Sequence, residues 1–178
     1  NKFLDEMTII GITGTNGKTT SAYLMYQALN KLGVKAAYMG TIGFYMDGKV
    51  SDMPNTSVDI CDTYDLLMKA YDKGYKTVIM EVSSHALANN RVKTIKYDYA
   101  LFTNLTQDHL DFHKTMGNYA LAKQQLFRQL KHGGIAIINN DDKYKEYYLL
   151  DGNNNLTYGF NDANFKVLDY DMSSNGTK

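Results

Sequence analysis

The fold turns on one stretch: Met7-Thr8-Ile9-Ile10-Gly11-Ile12-Thr13-Gly14-Thr15-Asn16-Gly17-Lys18-Thr19-Thr20. Residues 7–12 form a short apolar, β-branched run, the pattern of a strand buried on both faces. After the loop a helical pattern runs to Leu32, with apolar positions at Tyr23, Leu24, Ala28 and Leu29, and Gly33 is placed to end it. A glycine-bearing loop between a buried strand and a helix N-terminus is built to hold an anion. The glycines let backbone N–H groups converge, and the helix end adds partial positive charge. Gly14, Thr15, Asn16, Gly17, Lys18, Thr19 and Thr20 are therefore the candidate nucleotide-binding residues. Lys18 is placed to reach the β- and γ-phosphates, and the Thr19 hydroxyl to hold Mg²⁺. The strict phosphate-loop pattern wants a glycine where this chain has Ile12, so the loop is a variant, flanked instead by Gly11 and Gly14. The competing reading is a glycine-rich turn with an incidental lysine.

Outward from that loop, residues 34–39 read as a second strand. Residues 40–57 are polar and carry Asp47-Gly48, the signal of a tight hairpin. Residues 59–71 have helical spacing closed by Gly74. Strands are predicted at 76–82, 97–103 and 134–139, with a helix of about four turns over 115–130. Strands alternating with helices predict an α/β fold, three layers around a mostly parallel sheet. From Asp151 onward Asn, Asp and Gly predominate, with short β patterns at 156–160 and 165–170. These predict a small, partly antiparallel β region that ends in the turn-like residues 173–178 without a closing strand.

The chain has 178 residues, room for one domain with its own core, and its 44% hydrophobic and 21% charged content excludes a disordered protein. Zero formal net charge gives no field that would recruit nucleic acid or an acidic membrane. No apolar run approaches the ~20 residues that span a bilayer, and no signal peptide is visible. Cys61, alone, excludes an internal disulfide; it reads as a packing residue and suits a reducing cytoplasm. The missing initiator Met and the abrupt end predict a domain cut from a longer protein.

Three further places carry chemistry. Glu81 ends an apolar strand, where an open α/β sheet binds ligands, and reads either as a Mg²⁺-holding acid or as a solvated strand end. Asp108-His109-Leu110-Asp111-Phe112-His113 could be a metal site, a base, or a helix start capped by Asp. His109 and His113 are spaced to share a helix face, but the glutamate of a zinc protease motif is absent, so zinc is not expected. Lys123, in the middle of the next helix, reads by composition as a lysine on a solvated face.

Four blocks together resemble the Mur ligase family in order and spacing. They are Thr13 through Thr20, Glu81-Val82-Ser83-Ser84-His85-Ala86-Leu87, Thr103-Asn104-Leu105-Thr106-Gln107-Asp108-His109-Leu110-Asp111, and Tyr119 through Phe127. The resemblance runs from Met7 to Phe160 and points to the branch that adds the third amino acid to UDP-N-acetylmuramoyl-L-alanyl-D-glutamate. It implies an ATP-dependent amide-bond ligase of cytoplasmic peptidoglycan precursor synthesis, acting through an acyl phosphate, with this chain its central ATP-binding domain. ATP and two Mg²⁺ ions are implied. Thr19 and Glu81 would hold one ion; His109 and a carbamylated Lys123 would hold the other, with Lys18 at the transferring phosphate.

The same resemblance assigns Asn55, Thr56, Ser57, Ser83, Asn89 and Arg91 to the UDP-muramoyl dipeptide. Here the chain departs from the family: its usual Asn-Thr-Thr-Pro-Asp is Asn55-Thr56-Ser57-Val58-Asp59, and a common glutamine is Asn89. The N-terminal uridine-docking domain and the C-terminal domain that selects the amino acid are expected as further parts of the parent enzyme, and the fragment is expected to be inactive as a ligase alone. Alternatives are a folylpolyglutamate or cyanophycin synthetase within the superfamily, or a phosphate-loop ATPase or nucleotide-binding module without ligase chemistry.

Overall fold

The structure is a computed structural model describing residues 2–173 and 176–177. One helical turn, α1 (Lys2–Asp5), precedes β1 (Thr8–Thr13), and α2 (Lys18–Lys31) follows the glycine loop. Next come β2 (Ala36–Gly40), β3 (Gly43–Met46), β4 (Gly48–Ser51), α3 (Ile60–Asp72) and β5 (Thr77–Glu81). Then follow α4 (Ser84–Ala88), β6 (Tyr97–Phe102), α5 (Leu110–His113), α6 (Met116–Arg128) and β7 (Leu130–Asn139). The chain ends with β8 (Asn154–Gly159), β9 (Phe165–Lys166), β10 (Met172–Ser173) and β11 (Gly176–Thr177).

Nine strands form one sheet in the order β4-β3-β2-β5-β1-β6-β7-β8-β9. From β2 to β9 neighbours run parallel, while β3 and β4 add an antiparallel hairpin at one edge. Side chains alternate across the sheet. Ile9, Met39, Val78 and Met80 pack with Leu67 and Ala70 of α3 and with Leu126 and Phe127 of α6. Ile10, Ile12, Tyr38 and Ile79 pack on the other face against Ala22 and Tyr26 of α2. Burial on both faces is why residues 9–12 read as an unbroken apolar run rather than an alternating one.

The topology positions the site. From β1 the chain crosses to β2 on one side, returns to β5 between them, then goes on to β6 on the far side of β1. The strand order therefore reverses around β1, which opens a crevice at the carboxyl ends of the parallel strands. Register aligns those ends, with Ile12 opposite Glu81 and Thr13 opposite Phe102. The glycine loop, Glu81 and the segment after β6 thus meet on one rim.

The predicted three-layer α/β architecture stands, with local corrections. Strand β2 begins at Ala36, not Val34, because the Val34 N–H donates to the Leu29 carbonyl, and the Asn30 side chain bonds the Ala36 N–H and C=O. Those bonds extend the end of α2. The β patterns at 156–160 and 165–170 do not make a separate antiparallel sheet. β8 adds to β7 in parallel, and β9, only Phe165–Lys166, adds to β8 in parallel. An alternating pattern does not encode direction. Residues 140–153, with a 3₁₀ turn at Lys145–Tyr147, supply the crossover that a parallel neighbour requires. The antiparallel part toward the C-terminus is the pair β10 and β11, so a strand does follow Ser173; the turn expected at 174–175 and residue 178 lie outside the described residues. Cys61 is exposed, not a packing residue, because the buried face of α3 is formed by Thr63, Leu67 and Ala70.

Candidate active site

The glycine loop is fastened to the segment after β6. The Thr15 N–H donates to the Asn104 carbonyl at 2.8 Å, and the Asn16 N–H to Asn104 Oδ1 at 3.0 Å. The Thr103 hydroxyl and the Asn104 amide donate to the Asn16 carbonyl at 2.7 and 3.0 Å, and the Thr106 N–H to Thr15 Oγ1 at 3.0 Å. Gly14 makes this closeness possible. Its φ of 151° is a glycine conformation, and a Cβ there would collide with Thr103 Oγ1. With the Thr15 and Asn16 N–H groups engaged, the donors left for an anion belong to the first turn of α2. Gly17 begins that helix at φ 83°, and no side chain caps it.

Lys18 folds back over the loop, donating from Nζ to the Gly14 and Thr15 carbonyls at 2.9 Å each. Burial holds its pKa below the usual lysine value, an effect that Glu81 and Asp108 partly oppose. One turn in, the Thr19 hydroxyl donates to Glu81 Oε2 at 2.8 Å.

Glu81 is 1% exposed, so the solvated-strand-end reading fails. A buried carboxylate needs donors, and four converge on it. Oε1 accepts from the Tyr38 hydroxyl and from the Thr41 N–H at 3.0 Å; Oε2 accepts from Thr19 and from the Thr41 hydroxyl at 3.2 Å. Tyr38 is itself fully buried, and burial first, then the Glu81 carboxylate, pushes its pKa up, so it acts as a donor. Mg²⁺ takes oxygen ligands and keeps several waters. The Thr19 hydroxyl, whose proton is directed at Glu81 and whose lone pairs are free, fits such an ion together with the carboxylate.

Lys123 is 1% exposed, not on a solvated face. Its Nζ donates to the Gly14 carbonyl at 2.8 Å and lies 4.5 Å from the centre of the Tyr119 ring. Burial, then the charge of Lys18, lowers its pKa well below the ordinary lysine value. Tyr119 is stacked on His113 at 4.8 Å, and its hydroxyl shares a hydrogen bond with Thr15 Oγ1 at 3.3 Å.

His109 and His113 do not share a helix face. The helix begins only at Leu110, with His109 preceding it at φ 52°, exposed, its Nε2 3.5 Å from Asp108. His113 is buried, bonds Ser84 Oγ through Nε2 at 2.9 Å, and has a pKa lowered to about 4 by burial first and then by His85 and Lys123. His85 sits between the two, 4.8 Å from His109 and 5.5 Å from His113 ring to ring. As a free amine bonded to a carbonyl, Lys123 offers no metal ligand, and among the described residues no group of three or more His, Cys, Asp or Glu is gathered for one. A second ion therefore does not fit the residues in this state.

All six residues expected to grip the sugar-peptide substrate come together. Asn55, Thr56, Ser57, Ser83, Asn89 and Arg91 line one cleft of about 400 Å³ with Lys18, His85 and His109. Ser57 is held by donating to the Glu81 carbonyl at 3.1 Å, and Ser83 caps α4 by accepting from the Ala86 N–H. Arg91 lies 3.3 Å from Asp59 through Nε. Among the described residues only Asn90, His109 and Lys114 are non-glycine residues at positive φ, and all three flank this cleft or the histidines beside it. Sequence reasoning missed Tyr38, Thr41, His85 and Tyr119. Position gave a usable signal for two of them: Thr41 follows Gly40 at a strand end, and His85 lies four residues past Glu81.

The Mur ligase middle domain family matches residues 12–178, and the chain belongs to that family. It is similar to UDP-N-acetylmuramoyl-L-alanyl-D-glutamate--2,6-diaminopimelate ligase 1 of Clostridium acetobutylicum, 43% identical over 97% of this chain and 36% of that protein. A solved ligase of that same printed activity superposes with a TM-score of 0.85 at 31% identity, over 96% of this chain and 36% of the other. MurF ligase from Thermotoga maritima in complex with ADP gives 0.75 at 19% identity over 99% and 38%, a likeness of fold. The chain thus spans about a third of the length of these relatives. No described helix is long and apolar enough to cross a membrane.

Proposed function

We propose that this chain is the ATP-binding part of a cytoplasmic ligase that joins a third amino acid to UDP-N-acetylmuramoyl-L-alanyl-D-glutamate. The observation that carries the reading is the single cleft in which Lys18, at the phosphate loop, and Arg91, among the polar residues 55–57, 83 and 89, face the same space. A carboxylate held near Arg91 and a triphosphate held at α2 are both anionic, so bringing them together requires positive charge between them. Lys18 supplies part of it. The N–H groups of the first turn of α2 orient the phosphates, and Thr19 with Glu81 would hold a Mg²⁺ ion that supplies the remaining neutralisation.

The substrate carboxylate oxygen then takes the γ-phosphoryl group as ADP leaves. The amine nitrogen of the incoming amino acid attacks the acyl carbon, and phosphate departs through a tetrahedral intermediate while the amine loses its proton. The relatives' printed activity makes 2,6-diaminopimelate the amine to try first. Uridine-docking and amino-acid-selecting regions would be supplied outside these 178 residues.

Lys123 belongs to this reading as a carbamate. A neutral amine, which its burial favours, attacks CO₂ at carbon, forms an N–C bond and releases one proton, turning a donor into an anion. Only then would Lys123 and His109 offer ligands for a second ion. Calorimetry of Mg-ATP with the parent chain and Lys18→Ala tests the core of the proposal. Binding that disappears in the variant is expected, and equal binding by both would overturn the assignment of the loop.

A further inference from the structure

Lys18 and Glu81 attract each other across the rim yet form no ion pair: Lys18 donates to the Gly14 and Thr15 carbonyls, and the Glu81 carboxylate accepts from Tyr38, Thr19 and Thr41. Opposite charges in one half-buried crevice attract, so the partners that each already holds keep them apart. On the lysine side, two carbonyls do so. On the carboxylate side, Thr19 and Thr41 hold Oε2 through hydroxyls that can rotate away, whereas Oε1 is held by the Thr41 N–H and the Tyr38 hydroxyl. The Tyr38 ring cannot move aside. It is fully buried and packed edge-on against Tyr23 and Tyr45, with centroids at 5.6 and 5.7 Å. Space for the contact is reserved by Gly40, whose missing Cβ would strike both the phenol oxygen and Oε1.

We propose that Tyr38 is a positioning residue for the nucleotide site: it anchors Oε1 of Glu81, keeping the carboxylate off Lys18 and leaving Oε2 to serve the Thr19 side. The inference rests on the reading of the loop as a Mg-nucleotide site. Neither the phosphate loop nor Glu81 needs a tyrosine by its own chemistry. Anchoring one oxygen fixes the plane of the carboxylate, so the second oxygen and the Thr19 hydroxyl present one fixed pair of oxygens, and Lys18 stays available to an incoming phosphate.

The test uses Tyr38→Phe, with Gly40→Ala as a second variant that wedges a methyl into the contact while keeping both partners. Tyr26→Phe is the control, since that neighbouring hydroxyl serves the Met46 carbonyl. The first readout is a crystal structure of nucleotide-free Tyr38→Phe, expected to show Glu81 turned onto Lys18. The second is ADP affinity with and without Mg²⁺. The Mg²⁺-dependent gain should fall by about tenfold or more in both variants, the usual weight of a hydrogen bond to a charged group, while Mg²⁺-free affinity and the Tyr26→Phe protein change little. A purely structural defect would lower both affinities together. Glu81 unmoved in the variant crystal, or a retained Mg²⁺-dependent gain, overturns the proposal. Absence of ADP binding by the parent would count against the nucleotide-site reading alone, because the crystal still reports whether Tyr38 restrains Glu81.

Discussion

Lys18 and Lys123, more than one hundred residues apart in sequence, donate to the same carbonyl oxygen, that of Gly14, at 2.9 and 2.8 Å. Two ammonium groups on one acceptor repel, and Lys123, the more deeply buried, is the one driven toward its neutral form. Burial, more than that pairing, lowers the Lys123 pKa beside the phosphate loop.

A pH dependence of stability follows. The folded Lys123 pKa is depressed, so between that value and the unfolded chain's ~10.4 the unfolded state holds the extra proton. Stability therefore rises with pH through this window, at up to about 1.4 kcal/mol per pH unit from this group. In CO₂-free buffer, urea midpoints at about pH 7 and about pH 9.5 should rise more for the parent than for Lys123→Met. Parallel behaviour would mean that Lys123 is charged in the folded chain.

His113 acts on the acid side. Its folded pKa of about 4 lies below the ordinary 6.5, so its contribution is complete above 6.5 and is lost as pH falls from there toward 4. His113→Gln keeps a polar partner for Ser84 and removes the titration. The drop in melting temperature between about pH 7 and about pH 5 should shrink in this variant, and an equal drop would place the acid sensitivity elsewhere.

Gly14→Ala should lower stability by about 1–3 kcal/mol through its φ alone and loosen the loop by displacing Thr103. Adding Thr103→Ala relieves the collision but not the dihedral, so the double variant should recover only part of the loss. Full recovery, measured by chemical denaturation, would show that crowding alone requires the glycine.

Arg91→Lys retains charge and loses the planar fork. In an active ligase that contains this chain, KM for the UDP-muramoyl dipeptide should rise about tenfold with KM for ATP unchanged. A matching rise for ATP would move Arg91 to the nucleotide side of the cleft.

Much of this was readable in the sequence because it is periodic or local. The apolar run 9–12, the glycines around Lys18 and the Asp47-Gly48 hairpin each announce an element through short-range physics. Residues whose meaning depends on the layer above them were not readable from pattern. Lys123 looks solvent-facing until α6 is packed between β1 and α4, and only the family resemblance singled it out. Tyr38 reads as one more strand residue, since nothing local reveals that Glu81, forty-three positions away, lies at its hydroxyl. Strand direction in β8 and β9 escaped for the same reason: hydrophobic alternation reports a face, whereas direction is set by the crossover.

The bonds that tie residues 15 and 16 to residues 103, 104 and 106 have a mechanical consequence. Two strand ends riveted this way cannot flex independently; they form one stiff plate on the sheet rim. His109 rides just beyond the rivets, beside His85 at the cleft wall. A displacement of the glycine loop is therefore shared with the strand end that leads to His109 and that wall.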